Sequence, residues 1–292
     1  MFIDVHAHVY KYQYPNPDAG GEPLFLTLDE LRAAHDELDI SRAVLLPIVS
    51  SEMYMPQSVD EIIDIADESD GRYIPYCNVD PRVYSNSSDA PIGILLEHYR
   101  KLGCKGIGEV MPNLPWNDPR FQNLLRHVER IGFPLIFDVT GCLNRGYGIY
   151  DEPGMPQLED CLNRYPDLLF VGHGPAFWAE ISTLRDPADR FGYPGYPIVG
   201  EGRVAQLMRR YPNLVVELSA NSGANAMLRD PGYAVNFLNE FCDRIMFGTD
   251  ICTKSQRPPT AKFLIGLRDE GKLSTEKFRM IAGENAVRLL KI

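Results

Sequence analysis

Short runs rich in Val, Ile, Leu and Phe recur along the chain. They are FIDVHAH at 2–8, RAVLLPI at 42–48, YIPYCNV at 73–79, CKGIGEV at 104–110, FPLIFDV at 133–139, LLFVGH at 168–173, LVVEL at 214–218 and RIMFGTD at 244–250. Near-continuous apolar runs of this length suit strands covered on both faces, as in a parallel sheet. Amphipathic segments lie between them: 27–39, 59–69, 92–102, 118–131, 155–165 and 202–211, with TAKFLIGLRDEG and STEKFRMIAGENAVRLLKI after the last run. Thr27 with Glu30 three residues on reads as a capping box, and Asp118 with Pro119 as an N-cap and first helical position. Alternation of this kind predicts an α/β fold, a (β/α)8 TIM barrel, as one domain over 1–292. A doubly wound open sheet is the competitor, but no G-x-G-x-x-G follows the first strand.

Two stretches, 10–26 and 174–200, read as long loops after the first and sixth strands. Both then overhang the C-terminal mouth of a barrel, where long loops shape substrate sites. Their aromatic residues include Tyr10 and Trp178, taken here as substrate-binding candidates, with Tyr12, Tyr14, Phe25, Phe177, Tyr193 and Tyr196. Loops that simply pack on themselves are the competing explanation.

The polar residues at the strand ends carry the chemistry. On a regular strand, side chains alternate faces, so Phe2, Asp4, His6 and His8 share one face and Ile3, Val5 and Ala7 the other. An isolated His-x-His pair is more often two ordinary strand histidines. Here Glu109, Asp138, His173, Glu217 and Asp250 also follow apolar runs, and each is a potential ligand, acid or base. Two imidazoles with one or two carboxylates suit a divalent metal, Zn²⁺ first and Mn²⁺ as the harder alternative. Such an ion would lower the pKa of a water and polarise a carbonyl, with Asp250 moving the proton and His173 steadying the water or the developing charge.

Composition narrows the partners. The 292 residues carry a formal net charge of −11, which argues against nucleic acid or an anionic membrane surface and leaves a small-molecule substrate. No apolar run is long enough to span a bilayer, and no leader pattern opens the chain, so a cytoplasmic location is expected. The six cysteines are scattered without a C-x-x-C, consistent with free thiols. Apolar, aromatic loops also point to a homodimer.

IDVHAH, VGHGP, MFGTD and the terminal GENAVRLLKI together resemble the amidohydrolase superfamily, over residues 2–292. The chain looks most similar to the amidohydrolase-related branch that includes aminocarboxymuconate-semialdehyde decarboxylase, aromatic-acid decarboxylases, hydratases and lactone hydrolases. The resemblance implies a distorted (β/α)8 barrel with a divalent metal at its mouth. It matches His6 and His8 to first-strand ligands and Asp250 to the last-strand ligand and general base. His173 matches a histidine that is a ligand in binuclear relatives and catalytic in the decarboxylases. One departure stands out: Asp138 occupies the fifth-strand position where the decarboxylases usually carry a histidine ligand. Either Asp138 ligates through oxygen or Glu109 supplies the missing ligand. The function expected is hydrolysis of a small ester, lactone or amide, with a lyase (decarboxylase or hydratase) acting on a carboxylated substrate as the alternative. The lyase needs a cation for that carboxylate, and Arg145, Arg185, Arg190, Lys254 and Arg257 are the candidates.

Overall fold

The computed structural model describes residues 1–17 and 20–292; Asp18 and Ala19, within the expected 10–26 loop, lie outside the described residues. Every apolar run becomes a strand: β1 (Phe2–Ala7), β2 (Ile40–Leu45), β3 (Tyr73–Pro75), β4 (Ile107–Val110), β5 (Leu135–Thr140), β7 (Phe170–His173), β8 (Leu214–Glu217) and β9 (Ile245–Met246). A two-residue strand, β6 (Ile149–Tyr150), adds to β5 from outside. All pairings between these strands are parallel.

The ladders run β1-β2-β3 and β4-β5-β7-β8-β9. Backbone hydrogen bonds close both gaps. Cys77 N donates to Gly106 O and Gly108 N to Cys77 O, each at 3.0 Å, joining β3 to β4. Val5 N donates to Phe247 O and His8 N to Ile251 O, each at 3.1 Å, joining β1 to the segment after β9. The result is the closed eight-stranded barrel expected from the sequence, with no free sheet edge among the described residues.

Val5, Val44, Leu46, Ile74, Tyr76, Ile136, Val171, Val215 and Met246 fill the barrel interior, floored by Ala286 and Leu290. Gly106 is small because Tyr76 lies across it; a Cβ there would sit 2.3 Å from the ring. Outside the strands run α1 (Leu28–Glu37), α2 (Val59–Asp67), α3 (Ile92–Lys101), α4 (Pro119–Ile131), α5 (Pro156–Arg164), α6 (Pro175–Ala179), α7 (Arg203–Arg210), α8 (Ala220–Leu228), α9 (Pro231–Glu240), α10 (Thr260–Asp269), α11 (Thr275–Arg279) and α12 (Asn285–Leu290). Their apolar faces bury against the barrel's outer surface, where each fully buried Leu or Phe contributes about 1.5–3 kcal/mol. The capping signals hold: Thr27 N donates to Glu30 Oε2 at 2.9 Å, and Arg120 N to Asp118 Oδ1 at 2.9 Å.

Three helices were not expected. α8 and α9 fill 220–240, where ANSGANAML offers small residues and little apolar periodicity. α6 begins inside the expected 174–200 loop and turns its aromatics inward. No helix among the described residues is long and apolar enough to cross a membrane.

Candidate active site

β1 does not keep a regular alternation. Asp4 pairs with Ala43 and Ala7 with Leu45, so two residues of β1, Val5 and His6, face one of β2, Val44. A bulge of this kind re-aims side chains, often beside a site. Before it, Ile3 packs toward the barrel interior, while Phe2 packs outward on Phe247 and Phe278 and Asp4 meets His35 of α1; within it, Val5 and His6 both turn inward. His6 and His8 both point into the mouth. The expected shared face of Phe2, Asp4, His6 and His8 is therefore corrected: the histidines face inward because the bulge breaks the period.

The strand ends bring five donors together. His6, Glu109 and His173 form one group whose ligand atoms lie within 4.8 Å of one another, and His6, His8 and Asp250 form a second. His6 Nε2 is 3.1 Å from His8 Nε2. Asp250 Oδ1 lies 3.5 Å from His6 Nε2 and 3.3 Å from His8 Nε2. Glu109 places its carboxylate oxygens 3.5–3.6 Å from the Nε2 atoms of all three histidines. Bonds of about 2.1 Å around a four-coordinate divalent ion would separate adjacent donors by about 3.4 Å, so each three-donor group fits such an ion with one position open.

The far sides of the rings are committed. His8 Nδ1 bonds the Leu46 carbonyl at 2.9 Å. His6 Nδ1 and His173 Nδ1 both approach Glu217 Oε1, at 3.1 and 2.5 Å. Ser219 donates to the same carboxylate, from Oγ to Oε1 at 2.8 Å and from N to Oε2 at 2.6 Å. With Nδ1 turned to an acceptor, each Nε2 presents its lone pair to the centre, the arrangement that orients metal-binding imidazoles. Glu217, buried completely, thus stands behind the cluster.

The electrostatics favour positive charge here. Burial alone would depress His173, but Glu217 and Glu109 outweigh it and push the imidazole up to about 9. Burial likewise opposes charge on His6, and Asp250, Glu109 and Glu217 lift it well above its ordinary value. Burial works to raise Glu109, yet the surrounding histidines hold its carboxyl well below the usual range. A cation at the centre would take the place of those protons.

Asp138 stands apart from the five donors. It is buried at the end of β5, beside His173 in register, and lines the cavity. Gly174 (φ +99°) leaves it room; a Cβ there would sit 2.2 Å from Asp138 Oδ1. Burial and Glu109 raise its carboxyl well above the ordinary value. Of the two carboxylates offered by the sequence, Glu109 stands among the donors and Asp138 does not.

A cavity of about 220 Å³ opens over the cluster, reached by His8, Glu109, Asp138, His173 and Asp250. Leu24, Phe25, Ile48, Met53, Met111 and Cys252 supply apolar walls, Tyr147 and Tyr193 stand among its lining, and Ala220 and Ser222 close one side. A second chamber of about 460 Å³ adjoins it, sharing Asp138, Tyr147 and Pro175. Neither expected aromatic contact lines the cavity. Trp178 is 2% exposed and packs between Phe177 and Phe237, because α6 folds it into the layer outside the barrel. Tyr10 lies behind Phe25 and donates its hydroxyl to Met55 O at 2.9 Å. Tyr147, Met53, Met111, Ser219 and Ser222 were not singled out from the sequence; no motif marks them.

The candidate cations also separate. Arg185 stacks on Tyr196, Lys254 pairs with Glu30 at 2.6 Å, and Arg257 with Glu37 at 2.8 Å. Arg190 is buried against Glu180 at 2.9 Å. Arg145 lines the second chamber and has no ion pair among the described residues.

The amidohydrolase family model matches residues 3–292. The chain belongs to the amidohydrolase family. Comparison with curated proteins returned no match. Among solved structures, this amidohydrolase is similar to a probable 2-pyrone-4,6-dicarboxylic acid hydrolase from Acinetobacter baumannii with citric acid bound, at 16% identity and a TM-score of 0.63, covering 100% of this chain and 99% of that one. It is similar to a Burkholderia multivorans amidohydrolase with bound Zn, at 14% identity and a TM-score of 0.62, over 100% and 99% of the two chains. It is also similar to 2,6-dihydroxybenzoate decarboxylase from Rhizobium, at 13% identity and a TM-score of 0.58, over 99% of each chain. At such identities the likeness shows the shared barrel fold. The family assignment makes the chain an enzyme of a metal-dependent family, and a probable hydrolase and a decarboxylase are among the proteins that share its fold.

Proposed function

We propose that this amidohydrolase is a metal-dependent hydrolase of a small-molecule ester, lactone or amide. The observation that carries the reading is the convergence of His6, His8, His173, Glu109 and Asp250 at the barrel mouth. Zn²⁺ is the first candidate ion and Mn²⁺ the second, since two of the donors are hard carboxylates. When bound, the ion supplies a Lewis acid and lowers the pKa of water.

The side chains divide the remaining work. Glu217 and the Leu46 carbonyl hold the three imidazoles in register. Asp250 is the most open donor, its side chain 24% exposed toward the cavity, and it serves as the base. The attacking water forms a bond from its oxygen to the carbonyl carbon and passes a proton to Asp250. The C–O or C–N bond then breaks, and Asp250 returns the proton to the leaving group. The small, mostly apolar cavity excludes bulk water and selects a compact substrate.

Asp138 favours a second reading, decarboxylation of a small aromatic acid. Burial and Glu109 raise its carboxyl well above the ordinary value beside the cavity. It could protonate the ring carbon as the C–C bond to the carboxylate breaks and CO₂ leaves. Assays with Zn²⁺ or Mn²⁺ on lactones, aryl esters and anilides, beside CO₂ release from hydroxybenzoates, test the two. Turnover of the first group with no CO₂ from the second supports the hydrolase, and the reverse overturns it.

A further inference from the structure

We propose that the first turn of α8, with Ser222, is a seat for a carboxylate of the substrate in the catalytic cavity. The inference rests on the cavity being the substrate site and names the substrate class as compact carboxylates with an apolar body.

α8 has nine residues, and its N-terminus opens on the cavity through Ala220 and Ser222. The first N–H groups of a helix lack intrahelical acceptors and favour an anion. A serine at the N-cap normally meets this need. Ser219 occupies that place, but its hydroxyl is committed elsewhere, 2.8 Å from Glu217 Oε1 and 3.0 Å from His173 Nδ1. Ala220 N donates to Thr249 O and Gly223 N to Ser219 O. The N–H of Ser222, which lines the cavity, finds no acceptor among the described residues.

The second observation is independent of the helix. Ser222 is 2% exposed, it lines the cavity, and its Oγ has no hydrogen-bond partner among the described residues. A buried hydroxyl left unpaired costs about 1–3 kcal/mol, so such a group facing a cavity marks a ligand's place. The Ser222 N–H and hydroxyl, on one residue of the cavity wall, match the two oxygens of a carboxylate. Phe25, Ile48 and Met111 give an apolar wall for a flat body between this seat and the metal donors. At about 220 Å³ the cavity falls below the roughly 300–1,000 Å³ of drug-sized ligand sites, which limits the body to about one ring.

Calorimetric titration of the protein as purified with benzoate, 2-furoate and fumarate, each beside its primary amide, tests the seat. Metal content is measured on the same samples. The proposal expects the acids to bind about tenfold or more tightly than the amides, Ser222→Ala to lose about tenfold in acid affinity, and the amides to stay within about twofold. Ser222→Asp places a carboxylate on the seat itself, so it should abolish acid binding while holding or raising the Tm. Acids binding no more tightly than amides, acid affinity indifferent to Ser222→Ala, or a lowered Tm in Ser222→Asp each overturn it. If acid binding follows Ser222 in a protein without metal, the seat stands and the hydrolase reading falls. If metal-bearing protein binds acids without regard to Ser222, the seat falls and the hydrolase reading stands.

Discussion

His173 Nδ1 lies 2.5 Å from Glu217 Oε1, at the base of the donor cluster. The same oxygen takes His6 Nδ1 at 3.1 Å, so one buried carboxylate fixes imidazoles from β1 and β7 together. Glu217→Gln keeps the shape and removes the charge. Second-layer changes of this kind typically weaken metal affinity by about 10–100-fold. Competition with a chromophoric chelator should show that loss with a barrel still folded by circular dichroism. Unchanged affinity would count against Glu217 as the anchor.

Asp4 ties the first strand to the last. Its carboxylate accepts from His6 N at 3.0 Å, Thr249 N at 2.9 Å and Thr249 Oγ1 at 2.5 Å, one residue before Asp250. Asp4→Ala leaves the buried His6 N and Thr249 N without an acceptor, and Thr249 Oγ1 with only the His6 carbonyl at 3.4 Å, and should cost about 2–3 kcal/mol. Urea unfolding of the two proteins measures it, and a change under about 1 kcal/mol would contradict the role.

Acid stability should depend on Glu52. Burial works against its charge, but Arg82 and Ser50 hold the carboxyl down at about 2, from an ordinary 4.5. Because the folded value is the lower one, the stabilisation is fully present above about pH 4.5 and disappears as the pH falls toward about 2. Linkage gives an upper limit of about 3 kcal/mol, reduced by solvent screening. Glu52→Gln should therefore be less stable than the native chain at pH 7, with the gap closing below about pH 3. A gap independent of pH would refute the assignment.

Trp178 and Tyr193 should behave as opposites. Trp178 is packed outside the barrel, and Trp178→Ala should cost about 3–5 kcal/mol while the folded fraction keeps its KM. Tyr193 is 51% exposed and lines the cavity, so Tyr193→Ala should change KM with little change in Tm. Thermal melts with steady-state kinetics separate the two.

These contrasts show how much the sequence disclosed. Uninterrupted apolar runs made the barrel strands legible, because strands covered on both faces need apolar residues throughout. His6, His8, His173 and Asp250 stood out because charged groups are costly at strand ends unless they have work to do. That Phe2 and Asp4 face away from His6 and His8 was not legible: it depends on a bulge between Asp4 and Ala7, set by pairing to β2. Trp178 misled because an aromatic residue after a strand can serve either mouth or core, and the short α6 decides which. α8 stayed hidden because its small residues carry little amphipathic signal, and with it stayed Ser222.

The most direct test of the central claim is elemental analysis of the purified protein beside a His6→Ala/His8→Ala variant that remains folded. The account predicts about one equivalent or more of Zn or Mn in the native chain, lost from the variant together with turnover. Native protein that holds no metal after incubation with Zn²⁺, Mn²⁺ and Fe²⁺, or a variant that holds as much as the native chain, would contradict it.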